Sequence, residues 1–192
     1  MDSINRHISK FSAVIDTNVL LSAAARDIIL RLAEKDTFTI RWSTIILEEL
    51  ENNLQAKLEL SPEQARSLIN ALTNAFPHAC VPEINVDPVH ISAEHDKHIV
   101  AAAVQSGSEV IITQNIKDFP EEELAHYHIT AQTPDEFLMH HFTLEETKTV
   151  QTVHELLSDL HEPPISLLEF LDHLETIGII SFANALRNTD VR

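Results

Sequence analysis

A short apolar stretch that ends on an aspartate constrains the fold more than any other part of the sequence. Residues Ala13-Val14-Ile15 are apolar and partly β-branched, as is typical of a buried strand. Asp16 follows directly, and an apolar run at helical spacing begins a few residues later. A charge at the end of a buried strand costs solvation free energy, yet ligands of open α/β sheets bind at that edge. The stretch therefore predicts a strand, a functional acid and a helix. The alternative is that Asp16 only caps the helix.

Strand and helix patterns alternate along the first 130 residues. Strands are predicted at Phe11–Ile15, Thr37–Trp42 and Glu109–Thr113, with short ones within 81–89 and at Tyr127–Thr130. Helices are predicted at Val19–Lys35, from Ser43 or Thr44 to Leu58, from Ser61 to Ala75, and at Ala93–Val104. This order predicts a three-layer α/β/α fold built on a parallel sheet.

The sequence after Thr133 loses its strand signals. Thr133, Thr143 and Ser166 each resemble the residue that caps the start of a helix. Pro163-Pro164 is expected to separate two of these helices, and Gly178 to end another. We therefore expect an α/β domain over residues 1–133 and a helical C-terminal extension over residues 134–192.

The composition limits the functions open to the chain. A net charge of -17 makes it a poor general binder of nucleic acid, so a role on RNA needs metal ions, a local basic patch or a partner. Two glycines exclude glycine-rich phosphate loops. One cysteine, Cys80, excludes a disulfide framework and fits a reducing compartment. Without a run long enough to cross a bilayer or a signal-peptide pattern, we expect a cytoplasmic protein that makes no membrane contact.

Polar and acidic side chains recur where predicted strands end or helices begin. Asp16 follows the first strand, Glu49 lies on the helix after the second, Asp96 opens the alanine-rich helix, and Asn115 and Asp118 follow the strongest strand. Because parallel strands end at one edge of a sheet, we expect these residues to converge. Clustered carboxylates repel one another unless a cation lies between them. Ligands with oxygen donors alone favour Mg²⁺ or Mn²⁺, and such an ion can activate water for phosphodiester hydrolysis.

Each candidate also has a purely structural interpretation. Glu48 and Glu49 could both belong to a solvated helix face. Glu49 borders the buried stripe, but the pattern does not exclude Glu48. Asp96 could serve only to complement the helix dipole. His95 and His98, three residues apart, could ligate zinc, although the sequence shows no third ligand.

Four motifs in order resemble the PIN-domain family, and most of all the VapC-type toxins of bacterial toxin–antitoxin pairs. The resemblance covers about residues 11–134. The motifs are Val14-Ile15-Asp16-Thr17-Asn18-Val19-Leu20, Ile46-Leu47-Glu48-Glu49-Leu50, Asp96-Lys97-His98-Ile99-Val100-Ala101-Ala102-Ala103 and Ile112-Thr113-Gln114-Asn115-Ile116-Lys117-Asp118-Phe119-Pro120. It implies an α/β/α fold and an endoribonuclease that depends on Mg²⁺ or Mn²⁺.

The resemblance also implies roles for individual residues. The positions that match the family's acidic metal-binding residues are Asp16, Glu49 and Asp96. The other candidates are Asp118, which we expect to assist catalysis, and Asn18, Thr113 and Asn115, which we expect to orient the substrate or the first acid.

One position departs from the family pattern. The family usually carries another acid two residues after the threonine of the last motif, where this chain has Asn115. An amide can coordinate a cation through its carbonyl oxygen but brings no charge, so a second metal site is in doubt. Asp118 is a possible substitute. Because a subgroup with a helical extension shares this pattern, we interpret Asn115 as a variant.

The resemblance implies a toxin that cleaves RNA and leaves 3′-hydroxyl and 5′-phosphate ends. It also implies a homodimer and inhibition by a cognate antitoxin protein. Two alternatives remain. One is a catalytically weak protein-interaction module on the same fold, for which Asn115 is the support. The other is an aspartyl-phosphate phosphotransferase or phosphatase, which ranks last because Asn18 stands where that chemistry needs a second aspartate.

Overall fold

Five short strands and ten helices form within residues 11–160 and 165–189, the part of the chain that the computed structural model describes. The strands are β1 (Ser12–Ile15), β2 (Thr39–Ser43), β3 (Cys80–Val81), β4 (Val110–Ile112) and β5 (Thr130–Gln132). The helices are α1 (Thr17–Leu21), α2 (Ala23–Glu34), α3 (Thr44–Leu58), α4 (Pro62–Ala75), α5 (Lys97–Ser106), α6 (Glu121–Leu124), α7 (Pro134–Leu144), α8 (Glu146–Asp159), α9 (Leu167–Thr176) and α10 (Ile180–Thr189). The predicted break at Pro163-Pro164 lies outside the described residues.

All five strands are parallel and lie in the order β3-β2-β1-β4-β5. Along the chain, β2 and β3 extend the sheet on one side of β1, and β4 and β5 then extend it on the other side. At the reversal β1 pairs with β4, with Ile15 opposite Ile112. In open α/β sheets the crevice at such a reversal is where ligands bind, at the carboxyl ends of the strands.

Helices cover both faces of the sheet. Right-handed crossovers place α1–α4 on one face and α5 and α6 on the other, and α5 packs across β1, β2 and β4. Covered on both sides, Ala13, Val14 and Ile15 of β1 are fully buried. The three-layer α/β/α fold predicted from the sequence is confirmed.

Several predicted helix starts are confirmed by their hydrogen bonds. The Ser43 hydroxyl accepts from the Ile46 N–H at the start of α3. Three other helices begin with a reciprocal capping box. The sequence predicts this from a Ser or Thr that is followed three residues later by Glu or Gln. Their cap and third residues are Ser61 and Gln64, Thr133 and Glu136, and Ser166 and Glu169.

Three predicted boundaries are wrong. The helix predicted over Val19–Lys35 is broken at Ser22, whose backbone is extended, so α1 and α2 are separate. Thr143 does not cap a helix, because its hydroxyl donates to the Met139 carbonyl inside α7. The last strand begins at Thr130, because the preceding residues form a turn in which His128 adopts a left-handed conformation with φ of 58°.

The helices after Thr133 confirm the predicted C-terminal helical region and pack against the sheet domain. Asp135 at the start of α7 accepts from the N–H groups of Ser181 and Phe182, which secures the start of α10. Arg31 on α2 pairs with Asp159 on α8 at 2.7 Å. Within the described residues, no helix is both long enough and apolar enough for a membrane span.

A buried histidine joins α7 to the sheet domain. His141 is 4% exposed and contacts the rings of Phe11, Phe38 and Phe137, with centroid distances of 5.8, 5.4 and 4.7 Å. Its Nε2 has no hydrogen-bond partner among the described residues. Burial lowers the pKa of His141 from 6.5 to about 4, against a smaller opposing effect of Glu145. The folded state therefore holds this imidazole neutral at pH values where the unfolded chain protonates it.

We predict that His141→Phe makes the free energy of unfolding less dependent on pH. Above pH 6.5 the wild-type imidazole is neutral in both states, so it contributes no pH dependence. Between pH 6.5 and about 4 only the unfolded state binds the proton. Over this pH range the free energy of unfolding of the wild type falls by about 3 kcal/mol, and that of the variant does not undergo this decrease. Urea denaturation at pH 7, 5.5 and 4 measures this difference. Parallel curves for the two proteins would contradict the prediction.

Candidate active site

The Asp16 carboxylate lies at the carboxyl end of β1 and does not cap the helix that follows. The residue occupies the N-cap position of α1, and its backbone carbonyl accepts from the Val19 and Leu20 N–H groups. Its side chain, however, makes no capping hydrogen bond, and the residue is 5% exposed. Capping of α1 therefore does not by itself account for this carboxylate, which accepts hydrogen bonds from other side chains.

Two side chains hold this carboxylate: Thr113, which directly follows β4, and Asn18 of α1. The Thr113 hydroxyl donates to Asp16 Oδ2 at 2.6 Å, and the Asn18 amide donates to the same oxygen. Asn18 Oδ1 in turn accepts from the backbone N–H of Gln114 at 3.0 Å. The first acid is thus fixed in orientation by the loops that follow β1 and β4.

Glu49, on α3, is drawn to the same edge of the sheet. Its Oε2 accepts from the Thr17 hydroxyl at 2.9 Å, and its Oε1 lies 3.4 Å from His98 Nε2. Glu48 is exposed, as expected for a solvated helix face. Of the two glutamates between which the sequence does not decide, the structure places Glu49 beside Thr17 and His98.

Asp96 and Asp118 reach the cluster from the other face of the sheet. Asp96 is half-buried at the N-cap position of α5, and its side chain also makes no capping hydrogen bond. Burial raises the pKa of Asp96, and the negative charge of Asp118 raises it further, against the opposing effect of His98. Asp118, in a 3₁₀ turn over Ile116–Asp118, is therefore close enough for its charge to act on Asp96.

The acids also act on Asp16. Burial raises the pKa of its carboxyl above the usual value, the hydrogen bonds from Thr113 and Asn18 lower it, and the charges of Asp96 and Glu49 raise it again. The net shift is upward. The structure thus brings the charges of three acids that lie far apart along the chain to bear on one another, and among residues 11–160 and 165–189 no Lys or Arg side chain forms an ion pair with any of them.

Two of the remaining candidates occupy different positions in this arrangement. Thr113 is fully buried and belongs to the Asp16 network. Asn115 is exposed, and its backbone N–H donates to the Thr113 hydroxyl at 3.0 Å. Asn115 therefore lies at the rim of the cluster, where it adds no charge.

Two contacts of Glu49 were missed by the sequence interpretation. The sequence predicts no role for Thr17, and it predicts His98 only as a possible zinc ligand. The available signal was a histidine directly before the apolar run that begins at Ile99. No such signal marks Thr17, because its partner lies 32 residues away.

The donor chemistry of the cluster fits a hard divalent cation. Its candidate ligands are carboxylate oxygens, and two of the acids have raised pKa values because they are buried near other acids. Among residues 11–160 and 165–189, no three His, Cys, Asp or Glu side chains are gathered closely enough to form a ready metal cage. Mg²⁺ sites commonly use one or two carboxylates and several waters instead of a full protein cage. The oxygen donors, and not the spacing of the acids, are what favour Mg²⁺ or Mn²⁺ over zinc at this site.

Comparisons with known proteins agree with this geometry. The profile of the PIN domain family matches residues 12–117, and that of the VapC50 C-terminal domain matches residues 134–188. VapC50 of Mycobacterium tuberculosis, whose name assigns it as a ribonuclease, is 35% identical over 105 residues. That match covers 55% of this chain and 60% of the relative.

A solved structure of VapBC-1 from nontypeable Haemophilus influenzae aligns with 65% of this chain and 98% of its own, with a TM-score of 0.45 and 17% identity. The PIN profile spans β1 to the turn that carries Asp118 and so includes the strand ends at which the acids meet. The chain therefore belongs to the PIN-domain family.

Proposed function

We propose that the chain is the toxin of a toxin–antitoxin pair and cleaves RNA as a metal-dependent endoribonuclease. One observation carries the proposal. Asp16 and Asp96 stand at the starts of α1 and α5, and each carboxylate lies close enough to other acids for their charges to raise its pKa. With Glu49 they present negative charge to a common site at the sheet reversal, where a ligand is expected.

In this proposal Asp16, Glu49 and Asp96 hold Mg²⁺ or Mn²⁺, directly or through waters. Such an ion, when bound, polarises a phosphate oxygen and lowers the pKa of a water molecule. Thr113 and Asn18 keep the Asp16 carboxylate in one orientation. Asp118 strengthens the negative field at Asp96.

The substrate must approach a strongly acidic protein, and Lys117 can assist it. Among the Lys and Arg side chains that the structure describes, all except Lys57 and Lys117 already form an ion pair or a hydrogen bond. Lys117 is exposed and directly precedes Asp118 at the rim of the cluster. We propose that it contacts an RNA phosphate.

The remaining parts of the proposal concern assembly and cellular context. An RNA-cleaving toxin would act in the cytoplasm, as a homodimer, with residues 1–133 as the nuclease domain and 134–192 as a helical extension. A net charge of -17 favours an inhibitor with a basic segment. An arginine of that segment could pair with the acidic cluster.

The first prediction of this proposed function concerns the acids. Asp16→Asn and Glu49→Gln should each lower Mg²⁺-dependent RNA cleavage by about 100-fold or more, because each removes the negative charge of a proposed metal ligand. Asp16→Asn should not lower the melting temperature. The amide oxygen can still accept from Thr113, and the buried charge is gone. Cleavage assays with 5′-labelled RNA and thermal melts measure both effects.

Glu48→Gln is the matched control for these variants, because it removes the same charge one position away on an exposed face. It should cleave RNA like the wild type. Undiminished cleavage by Asp16→Asn would contradict the proposal. A wild type that neither cleaves RNA nor binds Mn²⁺ in calorimetry would favour the protein-interaction module instead.

The second prediction concerns Lys117. Lys117→Ala should make the plot of log(kcat/KM) for RNA cleavage against log[KCl] less steep by about 0.7, the value for one phosphate contact on a single strand. Lys57→Ala changes the net charge equally. Residue 57 lies eight positions beyond Glu49, about 12 Å along α3. The slope measured for Lys57→Ala should therefore equal that of the wild type. Equal slopes for all three proteins would refute the contact.

The third prediction concerns the partner. Co-expression with the adjacent open reading frame should yield a stable complex on affinity purification, and the complex should cleave RNA more slowly than the free chain. The expected partner carries a basic segment, so high salt should weaken the complex. Recovery of the chain alone, with full activity in the presence of that gene product, would count against an antitoxin encoded there.

A further inference from the structure

A groove runs along the outer edge of β5, beside the 3₁₀ turn that carries Asp118. β5 is the last strand on its side of the sheet, and the groove next to it has a volume of about 390 Å³. The apolar side chains of Ile116 and Pro120 line it, together with the imidazole of His140 on α7. A cleft of this size with apolar walls and a few polar groups is typical of a site for a small ligand or for part of a larger one.

The groove begins at the same edge of the sheet as the acids. Ile116 is 37% exposed and starts the 3₁₀ turn that ends at Asp118. Gln132, at the carboxyl end of β5, also lines the groove, and its carbonyl accepts from the N–H of Thr113 at 2.9 Å. β5 lies two strands away from β1, a separation of about 10 Å. An RNA strand that enters the acidic cluster with a phosphate therefore reaches the groove with a neighbouring base.

The backbone of Ala131 directs a donor and an acceptor away from the sheet. The Thr130 N–H donates to the Glu109 carbonyl, and the Gln132 carbonyl accepts from Thr113, so both residues pair toward β4. The N–H and C=O of the residue between them point to the opposite side. Among the described residues no strand pairs with β5 on that side. The groove is thus bordered by the open hydrogen-bonding groups of an edge strand.

Hydrogen-bond acceptors predominate in the lining of the groove. The carboxylates of Glu121 and Glu136 lie there, and the described residues that line it include no Lys or Arg. Negative groups repel a phosphate but accept hydrogen bonds from an exocyclic amino group, which adenine, cytosine and guanine carry and uracil lacks. Bases that are splayed out of a single strand also stack on side chains such as His. The lining therefore suits a base better than a phosphate.

We propose that the groove binds one base of the RNA substrate, next to the cleaved phosphodiester, and favours a base with an exocyclic amino group over uracil. The N–H and C=O of Ala131 pair with the edge of the base, and His140 stacks on its face. Gln132 supports the ring, because its Oε1 lies 3.2 Å from His140 Nδ1. This inference rests on the proposed function, since it needs an RNA phosphate at the acids.

An extended peptide of a partner protein is the other ligand that an open strand edge can take, and it binds through a series of main-chain hydrogen bonds. β5 spans only Thr130–Gln132, and Ala131 alone offers backbone groups on the outer side. A peptide strand would gain few hydrogen bonds there, whereas a base pairs through one donor and one acceptor. The short edge therefore favours a base.

Ala131→Pro and His140→Ala test the two contacts separately. Proline removes the N–H of residue 131 and keeps the pairing with β4, since proline is tolerated where the N–H of an edge strand faces outward. Ala131→Ser keeps the N–H and is the matched control. We expect the wild type to cleave an RNA with adenine, cytosine or guanine at one position beside the cut about 10-fold faster, in kcat/KM, than the same RNA with uracil there. Ala131→Pro and His140→Ala should each reduce this ratio toward one, and Ala131→Ser should keep it.

Three results of this cleavage assay would overturn the inference. They are a wild type without a preference at any position beside the cut, a preference for uracil, and an equal fall for both RNAs in His140→Ala. Because His140 is exposed, its variant should keep the melting temperature of the wild type. It therefore tests the inference even if Ala131→Pro does not fold.

Binding of free nucleosides, followed by nuclear magnetic resonance in EDTA, is the second measurement and does not depend on cleavage. Adenosine, cytidine or guanosine should shift the amide resonance of Ala131 and the ring resonances of His140, and uridine should shift them less. The absence of any shift would overturn the inference. If a partner protein then protects the Ala131 amide from hydrogen exchange, the edge binds a peptide instead. If the wild type does not cleave RNA, the proposed function fails, and a nucleoside shift at Ala131 still supports a base site in the groove.

Discussion

The hydrogen bond from the Thr113 hydroxyl to the Asp16 carboxylate joins the ends of β1 and β4, and the geometry of the site depends on it. The two strands are also joined by the Asp16 N–H, which donates to the Ile112 carbonyl at 3.0 Å. The first acid is therefore attached to the most buried part of the sheet through both its backbone and its side chain. Groups on rigid strands hold their geometry better than groups on loops, so the other acids converge on a fixed reference point.

The cluster of acids opposes folding, so the folded structure around it must be stabilised by packing in other parts of the chain. The raised pKa values of Asp16 and Asp96 mean that their ionised forms are less favourable in the folded chain than in the unfolded one. Such a site persists only where packing determines the backbone independently. The buried sheet provides part of this packing. The C-terminal helices provide another part, since Phe137 of α7 contacts Phe38 at a centroid distance of 5.0 Å. The buried surface that supports the site therefore extends beyond the sheet domain.

The sequence was sufficient to predict the edge of the sheet at which Asp16 lies, because the end of a buried parallel strand is recognisable from its apolar run. Glu49 and Asp96 lie on or before helices, so their approach to that edge depends on how α3 and α5 pack. Local boundaries were harder. Thr143 has the pattern of a cap, but its hydroxyl bonds within α7, and the choice depends on how the following helix packs. The contacts of Glu49 could not be predicted, because Thr17 and His98 meet it across separate helices and no local spacing encodes such a meeting.

The C-terminal helices also reach the rim of the site. The Gln114 side-chain amide donates to the carbonyl of Ile177 in the turn after α9, at 3.5 Å. The Gln114 backbone N–H donates to Asn18 beside the first acid. The loop after β4 is therefore held from one side by the acidic network and from the other by the helical region. This loop also leads to Asp118. A shift of α9 would act directly on this loop through the contact between Gln114 and Ile177. The helical region is thus in a position to affect the orientation of the acids without contributing a ligand.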